Sequence, residues 1–369
     1  MSPRRHGGDI WGVAKQRSVS ISQLLDFSAN INPLGLSTKA EMRLVSDIGL
    51  VSHYPDRDQT ELRALIASRS NIARDCILFG NGSTHLIHLI PRFKRYRKVL
   101  IVEPTFSEYR AALSNCGATI AVFPLKPNEN FKFDSRIFIE SVNRERPDAV
   151  FLANPNNPTG TLIPKRRIAH AVAFCERNGI DLVLDESFIE LTLGVSMVER
   201  AARSRHLIVI RSLTKCFALP GLRIGYAVAD RSVIKGLAAS IEPWSVNTLA
   251  LSAATACISD ANYLQRSLRL IQRERDYLFR GLTKLGWLHP YPSNANFLLV
   301  RIQAPHFSSA SLKRKLETAN ILIRDTHDFR GLGAKYVRLA VRRRGENRRL
   351  LMELARIEKS VTVRGKSKR

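Results

Sequence analysis

Lys215 stands in the run Arg211-Ser212-Leu213-Thr214-Lys215-Cys216-Phe217-Ala218-Leu219-Pro220-Gly221-Leu222-Arg223-Ile224-Gly225-Tyr226, directly after the apolar stretch Leu207-Ile208-Val209-Ile210. Four aliphatic residues in a row read as a buried strand, so the lysine lies at a strand end. Burial there disfavours its ammonium form and leaves a nucleophilic amine. Ser212, Thr214 and Arg223 supply two hydroxyls and a guanidinium, the donors that a phosphate takes. Such an amine can form an imine with an aldehyde that also carries a phosphate. The plain alternative is a lysine in a surface loop.

Four other groups fall at comparable places. Gly80-Asn81-Gly82-Ser83-Thr84 follows a predicted strand, Cys76 to Phe79, and opens a helix reaching about Ile90. A helix start of that kind offers free backbone N–H groups and a positive dipole end to a phosphate. Phe106 follows the strand at Val99 to Val102. Asn157 sits in Asn154-Pro155-Asn156-Asn157-Pro158-Thr159-Gly160 after the strand Ala149 to Ala153, in a turn whose prolines and glycine restrict its direction. Asp185 closes the apolar run from Asp181 to Leu184.

These positions require strands alternating with helices, which predicts an α/β fold with a mostly parallel sheet. Ligands in such sheets bind beyond the carboxyl ends of the strands, where all five groups fall. Further helices are expected from Asp58, with Asp58 or Thr60 as cap, over 164–178, 231–239, 248–258 and 261–285. The last hundred residues read as a smaller α+β unit: strand Phe297 to Arg301, helix Ser309 to Ala319, strands Ile321 to Arg324 and Tyr336 to Val341, helix Glu346 to Glu358. The expected division is an N-terminal arm (1–35), a large domain (36–260), a small domain (261–358) and a disordered basic tail (359–369).

Composition narrows the class. The chain has 369 residues, 44% hydrophobic and 24% charged, enough for a sizeable core. No apolar run approaches a membrane span and no hydrophobic leader follows Met1. The cysteines (76, 116, 175, 216 and 257) stand singly, which argues against a metal cluster or disulfide framework and fits the cytoplasm. The net charge of +26 favours anionic partners. Its lysines and arginines are spread out (Arg92 to Lys98, Lys165 to Arg167, Arg342 to Arg344, Arg364 to Arg369), so a solvated basic surface is expected rather than a specific nucleic-acid module.

Around a pyridoxal 5'-phosphate ring the groups take complementary parts. Asp185 pairs with the pyridine nitrogen, Asn157 donates to the phenolic oxygen and Phe106 stacks on the ring. The phosphate is held by Gly82, Ser83, Thr84, Ser212, Thr214 and Arg223, and Lys215 carries the imine and moves protons.

The segments NPNNPTG, DESF and SLTKCFALPGLRIGY resemble, in order and spacing, the fold-type I pyridoxal-phosphate enzymes with the aspartate aminotransferase fold, in their histidinol-phosphate aminotransferase-like branch. Within that branch His6-Gly7-Gly8-Asp9-Ile10, LLDFSANINPLG, GNGSTHLIHLIP, PTFSEY, EPWSVN, SNANFLLVR and ILIRDTHDFRGLG resemble the L-threonine O-3-phosphate decarboxylases of cobalamin biosynthesis. The resemblance implies a homodimer in which Tyr54 reaches the neighbouring subunit's cofactor phosphate. It also implies that His6, Gly7, Asn30, Asn157, Arg324 and Arg338 contact a small phosphorylated amino acid. The arginine fork suits carboxylate and phosphate oxygens. Phe188 departs from the tyrosine that many aminotransferases of the superfamily carry three residues after the ring-pairing aspartate, or is simply core.

Two other enzyme readings share most of these residues: a phospho-amino-acid aminotransferase such as histidinol-phosphate aminotransferase, and a decarboxylase of a related substrate such as phosphoserine. A non-enzymatic basic binding protein is a third class, opposed by the joint presence of Lys215, Asp185, Asn157 and Arg223.

Overall fold

A computed structural model of the chain describes residues 7–366, with side chains to 359. Its strands fall into two sheets. After a helix at Ile10–Arg17 comes the first strand, β1 (Leu25–Phe27), and the chain then builds a seven-stranded sheet from β2 (Ile77–Asn81), β3 (Lys98–Glu103), β4 (Thr119–Pro124), β5 (Ala149–Ala153), β6 (Asp181–Asp185), β7 (Leu207–Ser212) and β8 (Ile224–Val228). The second sheet adds β9 (Leu288–Pro290), β10 (Phe297–Ile302), β11 (Ile321–Asp325) and β12 (Tyr336–Ala340).

The large sheet runs in the order β2-β8-β7-β6-β5-β3-β4. Its centre from β4 to β7 is parallel, while β8 lies antiparallel to both β7 and β2. Strands β5, β6 and β7 are buried throughout, the continuous apolar run expected of a sheet covered on both faces. One apolar cluster fills the face that includes Val150, Leu182 and Val209, and another the face that includes Phe151, Val183 and Ile208. A third, around Leu298, Val337 and Leu354, lies under the small sheet.

Several boundaries differ from the sequence reading. Leu25–Phe27 is a strand, parallel to β11, so the stretch read as an arm contributes an edge to the small sheet in the order β1-β11-β12-β10-β9. The helix Thr60–Ser70 is capped by neither Asp58 nor Thr60: the Asp56 carboxylate accepts from the backbone N–H of Thr60 at 2.6 Å and of Asp58 at 3.0 Å. The helix after Gly82 spans Ser83–Lys94, past Pro91. The last helix runs Arg344–Lys366, so most of the expected disordered tail is helical.

Part of the basic surface is structural as well. Arg343 donates to the carbonyls of Pro33 and Leu34, at 2.8 and 2.9 Å, while Arg342 pairs with Glu346 and Arg344 with Glu274. Among the described residues no helix is long and apolar enough to cross a membrane.

Candidate active site

The carboxyl ends of β5, β6 and β7 open into a cavity of about 400 Å³. Lys215 lies in a single helical turn, Leu213–Cys216, set directly on the end of β7. Burial, and then the positive charges of Arg338 and Arg223, lower the Lys215 ammonium to about 8, with Asp26 opposing them. The amine is therefore available at much lower pH than an exposed lysine.

The residues expected from sequence to donate to a phosphate come together at the cavity. Ser83, Thr84, Ser212, Thr214 and Arg223 all line it, and the Ser212 and Thr214 hydroxyls are 2.8 Å apart. Glycine is required beside them. A Cβ on Gly82 would lie 2.6 Å from Nη2 of Arg223, so the guanidinium folds over the bare turn. A Cβ on Gly225 would lie 2.7 Å from the Ser83 nitrogen, which shows how closely β8 backs the seat.

Asp185 ends β6 with one oxygen accepting from the Tyr109 hydroxyl at 2.5 Å and the other from the Ser187 N–H at 2.8 Å. Burial pushes its carboxyl up, and the two hydrogen bonds pull against that. Behind it, Glu186 and Arg211 form a buried ion pair between the ends of β6 and β7, holding the strands that carry Asp185 and Lys215. Phe106 and Phe188 form walls; Phe188 also packs edge-on against Phe297 at 5.1 Å, so it is both pocket lining and core.

The small sheet closes the opposite side. Arg324 and Arg338 are register partners on β11 and β12, both buried and both facing the cavity. Arg338 donates to the Asn157 side-chain oxygen at 2.5 Å and to the Ser28 carbonyl at 2.8 Å, leaving its Nε–H without a partner. Burial and the charge of Arg324 push its guanidinium down, to about 9, so an arriving anion would be favoured there.

The Asn30 segment comes to rest against the lysine turn. Asn32 N–H donates to the Lys215 carbonyl at 3.1 Å, and its side chain reaches the Cys216 carbonyl at 2.7 Å. Asn30 is buried with its side-chain oxygen unpaired, and Gly7 lines the same wall.

Of the described residues named from sequence, Tyr54 and Gly82 do not line this cavity, although Gly82 adjoins Ser83, which does. His6 lies outside the described residues. Tyr54 is 79% exposed and stacks on Trp244, with ring centroids 4.6 Å apart.

Sequence reasoning missed Tyr109, Asp26, Glu108 and Asp328. A tyrosine inside a helix reads as core, and the three acids fall in a short strand (Asp26), a helix (Glu108) and a turn (Asp328) without a distinctive pattern. The signal for Tyr109 and Glu108 was PTFSEY, which places Tyr109 three residues after Phe106, while Asp26 and Asp328 fall within LLDFSANINPLG and ILIRDTHDFRGLG. Glu108 lines the cavity and takes Nε2 of His88 at 2.9 Å.

A buried lysine with a lowered pKa, a buried carboxylate, and hydroxyl and guanidinium donors at the end of a parallel sheet point to a class, and comparison with known proteins agrees. Residues 22–354 match the family model for aminotransferases of class I and II, and the chain belongs to that family. It is a pyridoxal-phosphate enzyme. It is 35% identical over 355 residues to the threonine-phosphate decarboxylase of Salmonella typhimurium, covering 95% of this chain and 96% of that protein, as the sequence resemblance implied.

Two solved structures share the fold. The histidinol-phosphate aminotransferase of Clostridium acetobutylicum matches with a TM-score of 0.84 and 32% identity over 91% of this chain and 100% of its own. The L-threonine-O-3-phosphate decarboxylase of Porphyromonas gingivalis matches with a TM-score of 0.82 and 29% identity over the same shares, 91% and 100%.

Pyridoxal phosphate suits the residues present. The bare Gly82 turn under Arg223 accommodates a phosphate, and the polarity of Asn157 is settled: Arg338 takes its oxygen, so its N–H₂ is left to donate.

Proposed function

We propose that this enzyme decarboxylates L-threonine O-3-phosphate to (R)-1-amino-2-propanol phosphate, the linker precursor of the cobalamin nucleotide loop. The observation that carries the reading is the pair of buried guanidiniums, Arg324 and Arg338, side by side on β11 and β12. Two adjacent buried cations suit a ligand with two anionic groups, a carboxylate and a phosphate. The similarity to threonine-phosphate decarboxylases supports it.

In this reading Gly82, Ser83, Thr84, Ser212, Thr214 and Arg223 hold the cofactor phosphate, Asp185 its ring nitrogen, Asn157 its phenolic oxygen and Phe106 its face. Pyridoxal phosphate, when bound, supplies an aldehyde for the substrate amine and a ring that accepts the electrons left by a departing carboxylate. Arg324 and Arg338, with Asn30, Gly7 and His6, grip the anionic ends and set the Cα–carboxylate bond perpendicular to the ring. Asp185 stabilises the positive ring nitrogen. Lys215 Nζ, freed by the substrate amine, returns a proton to Cα after carbon dioxide leaves.

Incubation with threonine phosphate tests this: carbon dioxide and an amine phosphate are expected. A keto acid with no amine phosphate overturns it. The second reading, histidinol-phosphate aminotransferase, is favoured by the Clostridium structure at 32% identity. It predicts accumulation of the pyridoxamine form with an amino donor. Decarboxylation of phosphoserine is the close variant.

The enzyme is proposed to work in the cytoplasm as a homodimer, with Tyr54 reaching the partner's cofactor phosphate. Exposed Met42, Val45, Ile48, Val51 and Tyr54, crowded into one short stretch of the chain, suit a covered face.

A further inference from the structure

The segment between β11 and β12 brings a carboxylate to the anion seat of Arg324. Asp328 meets Nη2 of Arg324 with both oxygens, at 2.9 and 2.6 Å, and the Phe329 ring lies against the same guanidinium at 5.2 Å. Arg324 and Phe329 are buried and line the cavity, whereas the Asp328 side chain is 30% exposed. The segment continues through Gly331 and Gly333, at φ of 87° and 69°, a conformation that glycine adopts without strain. Arg338 differs from its neighbour. Among the described residues it makes no ion pair, its bonds go to the neutral oxygens of Asn157 and Ser28, and its Nε–H is unpartnered.

We propose that Asp328 sets the affinity threshold of this pocket as an internal competitor, holding Arg324 so that ligands with only one anionic group bind too weakly to occupy it. The inference rests on the reading that the pocket receives a phosphorylated amino acid. A ligand carboxylate that replaces Asp328 at Arg324 exchanges one ion pair for a similar one, while the ligand still loses its translational and rotational freedom. An ordinary amino acid therefore gains little. A ligand with a second anion also claims the unused donor of Arg338 through a charge-assisted bond, and that bond is net gain. Rejection comes from a built-in competitor as much as from attraction to the favoured ligand.

The test is an equilibrium titration of the holoenzyme, read from the cofactor's visible absorbance, which needs no turnover. L-Threonine and L-serine are compared with their O-phosphates in the native chain, Asp328→Asn and Asp328→Ala. In both variants the Kd of the unphosphorylated amino acids is expected to fall about tenfold, equivalent to about 1.4 kcal/mol. The phosphorylated ligands displace Asp328 as well and tighten by a similar factor, so the carboxylate sets an affinity threshold that one-anion ligands fail and two-anion ligands pass. An unchanged or weakened affinity for L-threonine and L-serine in Asp328→Asn overturns the proposal, because Asp328 then only positions Arg324. Native enzyme that binds and decarboxylates phosphoserine but not threonine phosphate overturns the substrate assignment alone; the serine pair still decides the role of Asp328.

Discussion

Arg338 Nη1 donates to the Asn157 side-chain oxygen across 2.5 Å, joining the small sheet to the loop that leaves β5 of the large one. That bond fixes which end of the amide faces the cavity. Asn157→Asp leaves Arg338 satisfied but offers the cofactor's phenolic oxygen a carboxylate where an N–H stood. Loss of a hydrogen bond to a charged oxygen costs about 1.5–3 kcal/mol, so affinity for pyridoxal phosphate should fall at least about tenfold. Spectrophotometric titration of the apoenzyme measures this, and unchanged affinity argues against the assigned orientation.

The lowered Lys215 ammonium has a pH signature. Before cofactor binds, the amine becomes available as pH rises through about 8. The rate of imine formation with added pyridoxal phosphate should rise through the same range. Arg338→Met removes a repelling charge, so the midpoint should move to higher pH. The sign for stability follows from the same shift: the unfolded lysine titrates near 10.5, so between about 8 and 10.5 the unfolded chain holds more protons. This group's contribution therefore favours the folded apoenzyme increasingly across that window. Lys215→Ala should flatten that part of the apoenzyme's stability profile.

Tyr109→Phe deletes the phenol that donates to Asp185. The buried carboxylate then loses one of the bonds opposing its burial, and its pKa should climb further. A net loss of about 1 kcal/mol of stability is expected from such a bond. The bound cofactor's absorbance should also become more pH-dependent, an effect that simple loosening of the core would not produce.

Gly225→Ala places a methyl group where the Ser83 backbone already approaches to 2.7 Å. The same Cβ meets the Arg211 carbonyl oxygen of β7 at 2.7 Å, so the seat or the strand must give; where the seat gives, affinity for the phosphate-bearing cofactor should drop while affinity for phosphate-free pyridoxal changes little. Equal loss for both aldehydes would mean that the strand, not the seat, was disturbed.

If Tyr54 serves the partner's site, two inactive variants should restore each other. Mixed dimers of Lys215→Ala and Tyr54→Ala subunits contain one site with both residues intact. Up to half of the native activity per mixed dimer is expected on subunit exchange. Absence of any recovery, with exchange verified, would place the action of Tyr54 within its own chain.

The parallel core was legible because β5, β6 and β7 each carry an apolar run, with Asp185 and Ser212 closing β6 and β7 and Asn157 in the turn after β5. Other features left no local trace. A three-residue strand such as Leu25–Phe27 is too short to show a period, and only its pairing with β11 reveals it. Asp56 caps a helix from four residues before Thr60, whereas the sequence offered Asp58 as the nearer candidate. Arg343 reads as surface charge, yet its donors are taken by Pro33 and Leu34, carbonyls brought to it by the fold. Tyr109 and Asp328 gain meaning only when helix and loop are folded against Asp185 and Arg324.

The parallel pairing of Leu25 with Ile321 also orders events during synthesis. The cofactor's groups, from Ser83 to Arg223, leave the ribosome well before β11 and β12. All strands of the large sheet are thus made while Arg324 and Arg338 are still untranslated. The Asn30 segment, though made early, finds its sheet partner only when the last strands emerge. Chain order therefore separates the residues proposed for the cofactor, which are made first, from the arginines proposed to choose the substrate, which are made last.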